Sequence, residues 1–500
     1  DSLLGRIAAT FNVSANPFDS LETRLIGHFS RKTCLLVIDN CEHIIREVSG
    51  LLSELLHGCP NVKVLATSRV PLGLPFEQCI QIPPLPVPQV GDKLSKSLVS
   101  PAIQLFQARA SAVDATFRLQ ESDLPHVQLI CKKLSGIPLA IELVAARVAT
   151  LPLSRIAERI DDKVLTITNL DPSVEQRQQT LNDAIRWSFD LLKPTEALLL
   201  QRVAVFSGGF QLPAAELVCT DASLPEDSIE EALSGLVRSS LVSFQRDHER
   251  YVLLEPIREF AARLLRESEQ ESAVRDRHVG WANELAEEAE PHLQQGDAAH
   301  WLTRLDQEHE NFRAALRWAT EPERRLRIAA SLHRYWRMRG LHHEGIGWMS
   351  GVMHHAANID PALLAKASNS LGILLWSEGR YEEAAERLRV AMTEYERLGN
   401  HQRMAGAMAN LGNVLSDQGE FAESEVMHRR AILAYQEIGD ATNEIRELSN
   451  LACCLCDGGK EQEGMEIFET VRQRQSGGED FSAMATTSGN IAMVASLSGD

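Results

Sequence analysis

The sequence predicts a multidomain α/β + α protein, with a partial parallel α/β unit first and an all-α solenoid last. Three observations carry this. Two short apolar runs, 33–40 and 61–69, flank an amphipathic segment and set the order strand, helix, strand. Helical stripes dominate everything after residue 100. Small-residue clusters recur every 40 residues, at Ser370-Leu371-Gly372, Asn410-Leu411-Gly412, Asn450-Leu451-Ala452 and Asn490-Ile491-Ala492, with Gly379, Gly419, Gly459 and Gly499 in step.

In chain order, residues 1–32 carry two helical patterns (Leu3, Leu4, Ile7, Ala8, Phe11; then Leu21, Leu25, Ile26, Phe29) around a loop at Asn16-Pro17-Phe18. Thr33-Cys34-Leu35-Leu36-Val37-Ile38-Asp39-Asn40 reads as a strand buried on both faces with a carboxylate at its C-terminal tip, the edge where open α/β sheets hold ligands. A buried strand followed by an Asx turn describes the same run. With a helix over 41–56 and a second strand over 61–69, a parallel βαβ unit puts Asp39 and Thr67-Ser68-Arg69 on one sheet edge. A carboxylate and a guanidinium facing one crevice suit Mg²⁺ and a terminal phosphate respectively.

The extended run Pro83-Pro84-Leu85-Pro86-Val87-Pro88 closes the α/β part. A helical module follows over 100–162, interrupted at Gly136-Ile137-Pro138, where a C-cap glycine and a helix-initiating proline restart the helix. Between 180 and 266, helical stripes and a helix over 229–236 lead into Leu241-Val242-Ser243-Phe244 and Tyr251-Val252-Leu253-Leu254, joined by a charged turn at 247–250. Helices followed by a hairpin describe a winged helix. Such domains often bind DNA, but the helix beginning Ser228-Ile229-Glu230-Glu231 is acidic where a recognition helix would be basic.

In the last part a small-residue helix, a Gly turn, an aromatic (Tyr381, Phe421; Glu461 in the third copy) and a second helix ending at Tyr395 or Tyr435 resemble the tetratricopeptide repeat, with helices longer than its usual period of about 34 residues requires. Trp336, Gly340 and Trp348 suggest an earlier, degenerate copy. In stacked repeats the first helices line a concave face, where Asn410, Asn413 and Asn450 could bond an extended peptide or only pack within the repeat.

Three blocks, 35–43, 65–73 and Gly136-Ile137-Pro138-Leu139-Ala140-Ile141-Glu142-Leu143, resemble the signal-transducing P-loop ATPases known as STAND, in particular bacterial regulators of the LuxR and AfsR style, relatives of the NB-ARC domain. The resemblance implies a partial P-loop NTPase core over 1–95, a helical module over 96–170, a winged helix over 171–268 acting as an internal clamp, helical linker pairs over 269–325 and tetratricopeptide-like repeats over 326–500. It implies Asp39 and Asn40 as catalytic positions, Asp39 organising Mg²⁺ through the phosphates, Arg69 and Thr67 at the γ-phosphate, and Pro138 against the adenine, with ATP or ADP as cofactor. Two features depart from the family pattern. No Gly-x-x-x-x-Gly-Lys-Ser/Thr loop occurs in the 500 residues, so the chain resembles a piece of a longer protein and is expected to be inactive alone, with slow ATPase turnover in the whole protein. Leu253-Leu254-Glu255 stands where plant-type relatives carry Met-His-Asp.

The implied function is a nucleotide-controlled signalling switch in a bacterial regulatory protein. Its repeats would sense a ligand or protein partner, and it would homo-oligomerise under nucleotide control. The alternative is a non-catalytic tetratricopeptide scaffold around a vestigial ATPase core. A formal charge of -19 argues against a nonspecific nucleic-acid surface, leaving DNA to an output domain outside the chain. No apolar run approaches the roughly 20 residues that span a bilayer. Nine dispersed cysteines suit a reducing cytoplasm. Cys453, Cys454 and Cys456 read as packing residues rather than a zinc set, and His342-His343 and His354-His355 as solvated pairs.

Overall fold

The computed structural model describes residues 3–11, 13, 20–39, 41, 44–68, 71–80, 82–87, 99–163, 174–293, 297–353 and 359–475. The protein is mostly helical, with two small two-stranded sheets among the described residues. It divides into two compact units, Asp1–Gln78 with Leu285–Leu305 and Ala319–Asp500, and Cys79–Glu284 with Asp306–Trp318.

The first unit begins with α1 (Leu3–Thr10) and α2 (Leu21–Phe29), the latter capped by Ser20, whose hydroxyl accepts the Thr23 N–H at 3.1 Å. Strand β1 (Cys34–Ile38), helix α3 (Ile45–Gly58) and strand β2 (Val62–Ala66) follow, and the strands pair in parallel from Cys34↔Val62 to Ile38↔Ala66. The helices bury Leu25, Phe29, Val48, Leu52 and Leu55 against Leu36. The expectation that β1 is buried on both faces fails: Leu35, Val37 and Leu65 are 59%, 65% and 52% exposed. Side chains alternate along a strand, and among the described residues α1–α3 cover only the face carrying Leu36. Helix α3 also starts later than the amphipathic pattern suggested.

The second unit holds α4 (Pro101–Val113), α5 (Leu124–Lys133), α6 (Pro138–Ala145), α7 (Leu153–Lys163) and α8 (Val174–Asp190), packed around Ile103, Phe106, Ile130, Ile141 and Trp187. The proline-rich segment is fastened to this module, since the Leu85 N–H donates to the Gly136 carbonyl at 2.9 Å. Gly136 has φ +68°, and a Cβ there would lie 2.1 Å from the Leu85 carbonyl oxygen, so both the turn and the fastening require glycine.

Helices α9 (Pro194–Val203), α10 (Leu212–Cys219) and α11 (Ile229–Arg238) precede an antiparallel hairpin of β3 (Ser243–Gln245) and β4 (Arg250–Val252), then α12 (Glu255–Glu267). The hairpin is shorter than its apolar runs. A 3₁₀ turn at Arg246–His248, with Glu249 left-handed at φ 50°, takes up the charged residues, and pairing starts at Arg250. Buried Arg202 ties this region together, donating to the Cys219 carbonyl (2.6 Å), Asp221 (2.7 Å) and Gln270 (2.7 Å).

Helices α13 (Glu271–His292) and α14 (Ala298–Trp318) lead to the solenoid, which belongs to the first unit. It comprises α15 (Pro322–Met338), α16 (His342–Met353), α17 (Pro361–Ser377), α18 (Tyr381–Arg397), α19 (His401–Asp417), α20 (Phe421–Glu437), α21 (Ala441–Asp457) and α22 (Glu461–Gln475). From α17 onward each repeat spans 40 residues, as the recurrence predicted, and Leu371, Leu411 and Leu451 are buried. Each buried leucine contributes about 1.5–3 kcal/mol to the shared core. The copy containing Asn490 and the pair His354-His355 lie outside the described residues. His342 is more covered than its sequence suggested, with Nδ1 3.9 Å from Glu378 and the side chain 13% exposed. Cys454 is buried on α21, and no group of metal-ligating side chains occurs among the described residues.

Candidate functional site

At the C-terminal edge of the parallel pair, Asp39 directly follows β1 and Thr67 directly follows β2. The ladder runs on past both strands, because the Thr67 N–H donates to the Ile38 carbonyl and the Cys41 N–H to the Thr67 carbonyl, each at 2.9 Å. This places the Thr67 hydroxyl where it donates to the Asp39 carboxylate. Both side chains are exposed, so the pair presents hard oxygens to solvent at one point of the sheet edge. Asn40 and Arg69 lie outside the described residues. Pro138 is exposed at the first position of α6, in the other compact unit from Asp39 and Thr67.

A second candidate site is a groove of about 750 Å³ along the first helices of the repeats. It is lined by Asn410, Asn413 and Asn450, together with Asn369. Asn410 donates to Asn369 at 3.1 Å and Asn450 to Glu447 at 3.0 Å, whereas the Asn413 side chain makes no hydrogen bond among the described residues. Glu447 is fixed from beneath by His428, Nδ1 to Oε1 2.6 Å, with both side chains 1% exposed. The packing is close here, since a Cβ on Gly412 would stand 2.6 Å from the His428 ring.

The sequence did not single out the groove's arginines. Arg337 lies over the Trp376 ring at 5.6 Å, the Arg403 guanidinium stands beside the Tyr395 hydroxyl and that of Arg446 beside the Tyr435 hydroxyl. Burial pushes both tyrosine hydroxyls above their usual range, against the opposing pull of the arginines. The signal that could have found them is weak. Tyr395 and Tyr435 recur at the repeat period, but Arg403 is the third residue of its helix and Arg446 the sixth, so they share no repeat position.

Residues 363–437 match the tetratricopeptide repeat family. Two proteins of Mycobacterium tuberculosis (strain ATCC 25618 / H37Rv) are similar in sequence. One bears the provisional name of an HTH-type transcriptional regulator and is 35% identical over 358 residues, 70% of this chain and 39% of its own length. The other is an uncharacterized protein, 34% identical over 257 residues, 51% of this chain and 63% of its own length. The chain thus spans less than two thirds of either relative. Among solved structures, the STAND protein with a tetratricopeptide repeat sensor from Pyrococcus horikoshii aligns over 93% of this chain and 72% of its own, at 11% identity and a TM-score of 0.40. A Rap protein complexed with Competence and Sporulation Factor aligns over 79% of this chain and 96% of its own, at 14% identity and a TM-score of 0.30. No described helix is long and apolar enough to cross a membrane.

Proposed function

We propose that the chain is the switch-and-sensor part of a regulatory protein, in which nucleotide at the β1–β2 edge sets a signalling state and the repeats receive a ligand or protein partner. The observation that carries this is the Asp39–Thr67 contact across a parallel pair, in a chain that also bears a groove-forming repeat array. A carboxylate and a hydroxyl are the hard donors that suit Mg²⁺, and their place at the strand C-termini is where such sheets bind ligands. Bound Mg²⁺-nucleotide would supply a phosphate charge that differs between ATP and ADP. Asp39 would hold the metal side, Thr67 would orient that carboxylate, and Asn40, Arg69 and Pro138 keep the roles the family resemblance implies. The similarity to a mycobacterial regulator supports a regulatory role, with DNA contact left to an output domain and nucleotide-driven homo-oligomerisation as the output step. A non-catalytic repeat scaffold is the second reading, favoured by the lack of a Gly-x-x-x-x-Gly-Lys-Ser/Thr run in the 500 residues.

The test is titration of Mg²⁺-ATP and Mg²⁺-ADP onto this chain and onto the protein extended upstream through its own reading frame. The expected result is negligible hydrolysis by this chain, nucleotide binding on extension, and loss of the Mg²⁺ dependence in Asp39→Ala. Nucleotide binding by the extended protein that keeps its full Mg²⁺ dependence in Asp39→Ala, or no binding at all, overturns the switch.

A further inference from the structure

The repeat groove is positively charged in a protein whose formal charge is -19. Among its acids, Glu290 is paired with Lys366 at 2.6 Å and Glu447 is held by His428 and Asn450. Exposed Glu287 has no partner among the described residues. Against it stand Arg337, Arg403 and Arg446, all exposed, none with a carboxylate within 4.0 Å among the described residues.

Each arginine nonetheless has an aromatic neighbour. Trp376 offers Arg337 a ring face, and Tyr395 and Tyr435 stand beside Arg403 and Arg446; none of these neighbours neutralises a charge. An added Cβ at Gly406, on the helix facing Tyr435, would lie 3.6 Å from that hydroxyl. A guanidinium beside a neutral aromatic keeps its charge and its donors for a ligand.

Positive charge also acts on the buried groups beside the groove, after desolvation. Buried His333 is pushed down to about 3, first by desolvation and then by the charges of Arg334, Lys366 and Arg337, with the Ala330 carbonyl opposing. Burial lowers Arg334 below the usual guanidinium range, Glu290 opposes, and Arg337 and Arg446 push it further down.

We infer that this groove binds an extended acidic peptide segment, its carboxylates taken by Arg337, Arg403 and Arg446 and its backbone by the amides of Asn410, Asn413 and Asn450. A peptide fits better than a small free anion because the arginines sit on three different helices, α15, α19 and α21, with asparagine amides along the same groove. The inference rests on the repeats being the sensing part, and it requires no nucleotide.

The test is fluorescence anisotropy with a labelled Glu-Ala repeat peptide at low salt and without nucleotide, against a Lys-Ala peptide and against inorganic phosphate as competitor. The expected result is saturable, salt-sensitive binding of the Glu-Ala peptide alone. Affinity should fall about tenfold or more for each of Arg403→Gln and Arg446→Gln, as loss of a charge-assisted contact implies. Asn413→Ala should weaken the peptide while leaving phosphate inhibition unchanged, and Tyr435→Phe, which keeps the charge of Arg446 and removes only the hydroxyl beside it, should lose less than Arg446→Gln. Equal affinity in the arginine variants with unchanged circular dichroism, or equal binding of the Lys-Ala peptide, overturns the inference. Displacement by phosphate at concentrations equal to the peptide's overturns the peptide in favour of a small anion. Since the assay contains no nucleotide, its failure leaves the Asp39 reading untouched, and failure of nucleotide binding leaves this one untouched.

Discussion

Arg250 and Glu308 form an ion pair whose side chains are each 5% exposed, joining the first residue of β4 to α14. The pair is closed by neighbours: Arg250 also donates to the Gly209 carbonyl at 2.8 Å, and Asn311 donates to Glu308 at 2.6 Å while accepting the Ser207 N–H at 2.7 Å. Removing one partner leaves a buried charge without compensation, so Glu308→Ala is expected to cost about 3–5 kcal/mol. Glu158→Ala, which breaks an exposed pair with Arg155, should cost about 1 kcal/mol or less. Urea unfolding followed by circular dichroism compares the two, and equal losses would refute the buried network.

Stability should fall as the medium is acidified below about pH 6.5. His278 and His333 are both fully enclosed, and desolvation, aided by nearby arginines, depresses each to about 3. Between that value and the unfolded one near 6.5 the unfolded chain binds more protons, so the folded state is fully favoured above pH 6.5 and loses ground as pH drops. Each group accounts for up to about 1.4 kcal/mol per pH unit in that window. Urea midpoints measured from pH 7.5 to 4.5 should show the decline, and His333→Gln should flatten it. An unchanged slope in that variant would mean His333 takes up its proton in the folded state.

The repeats should respond as a coupled array. Leu411→Asp buries a carboxylate among neighbouring helices and is expected to unfold several repeats together, visible as loss of amide-exchange protection in α17–α21. Gly412→Ala drives a methyl group into the His428 ring, which Glu447 prevents from moving aside, and overpacking of this kind costs about 1–3 kcal/mol. Exchange that rises only in α19 in either variant would show the repeats to be independent.

The sequence was most informative where one periodicity has one structural solution. The 40-residue recurrence marks the starts of α17, α19 and α21 at residues 361, 401 and 441, because a helix pair of fixed length must return to the same place in the stack. Strand-helix-strand order likewise placed Asp39 and Thr67 on one edge, where the two side chains meet. Burial was less legible. Leu35 and Leu36 are identical in composition, yet one faces solvent and the other the helices, a distinction set by which face is covered and not by the residues. Arg403 and Arg446 escaped notice because the tyrosines beside them, not their own positions, carry the repeat, and the Leu85–Gly136 bond because it joins segments about fifty residues apart.

From α17 to α22 every helix is 17 residues long except the last described one, and each connecting turn takes three. Such an array behaves as a ruler. Duplicating or deleting a whole 40-residue unit would return every later helix to the same phase and lengthen or shorten the groove by one graduation. A one-residue insertion inside a helix would rotate the rest of that helix by roughly 100° and turn its asparagines and arginines off the groove. Change in the reach of recognition is thereby confined to whole units, while its chemistry can vary freely at single groove positions.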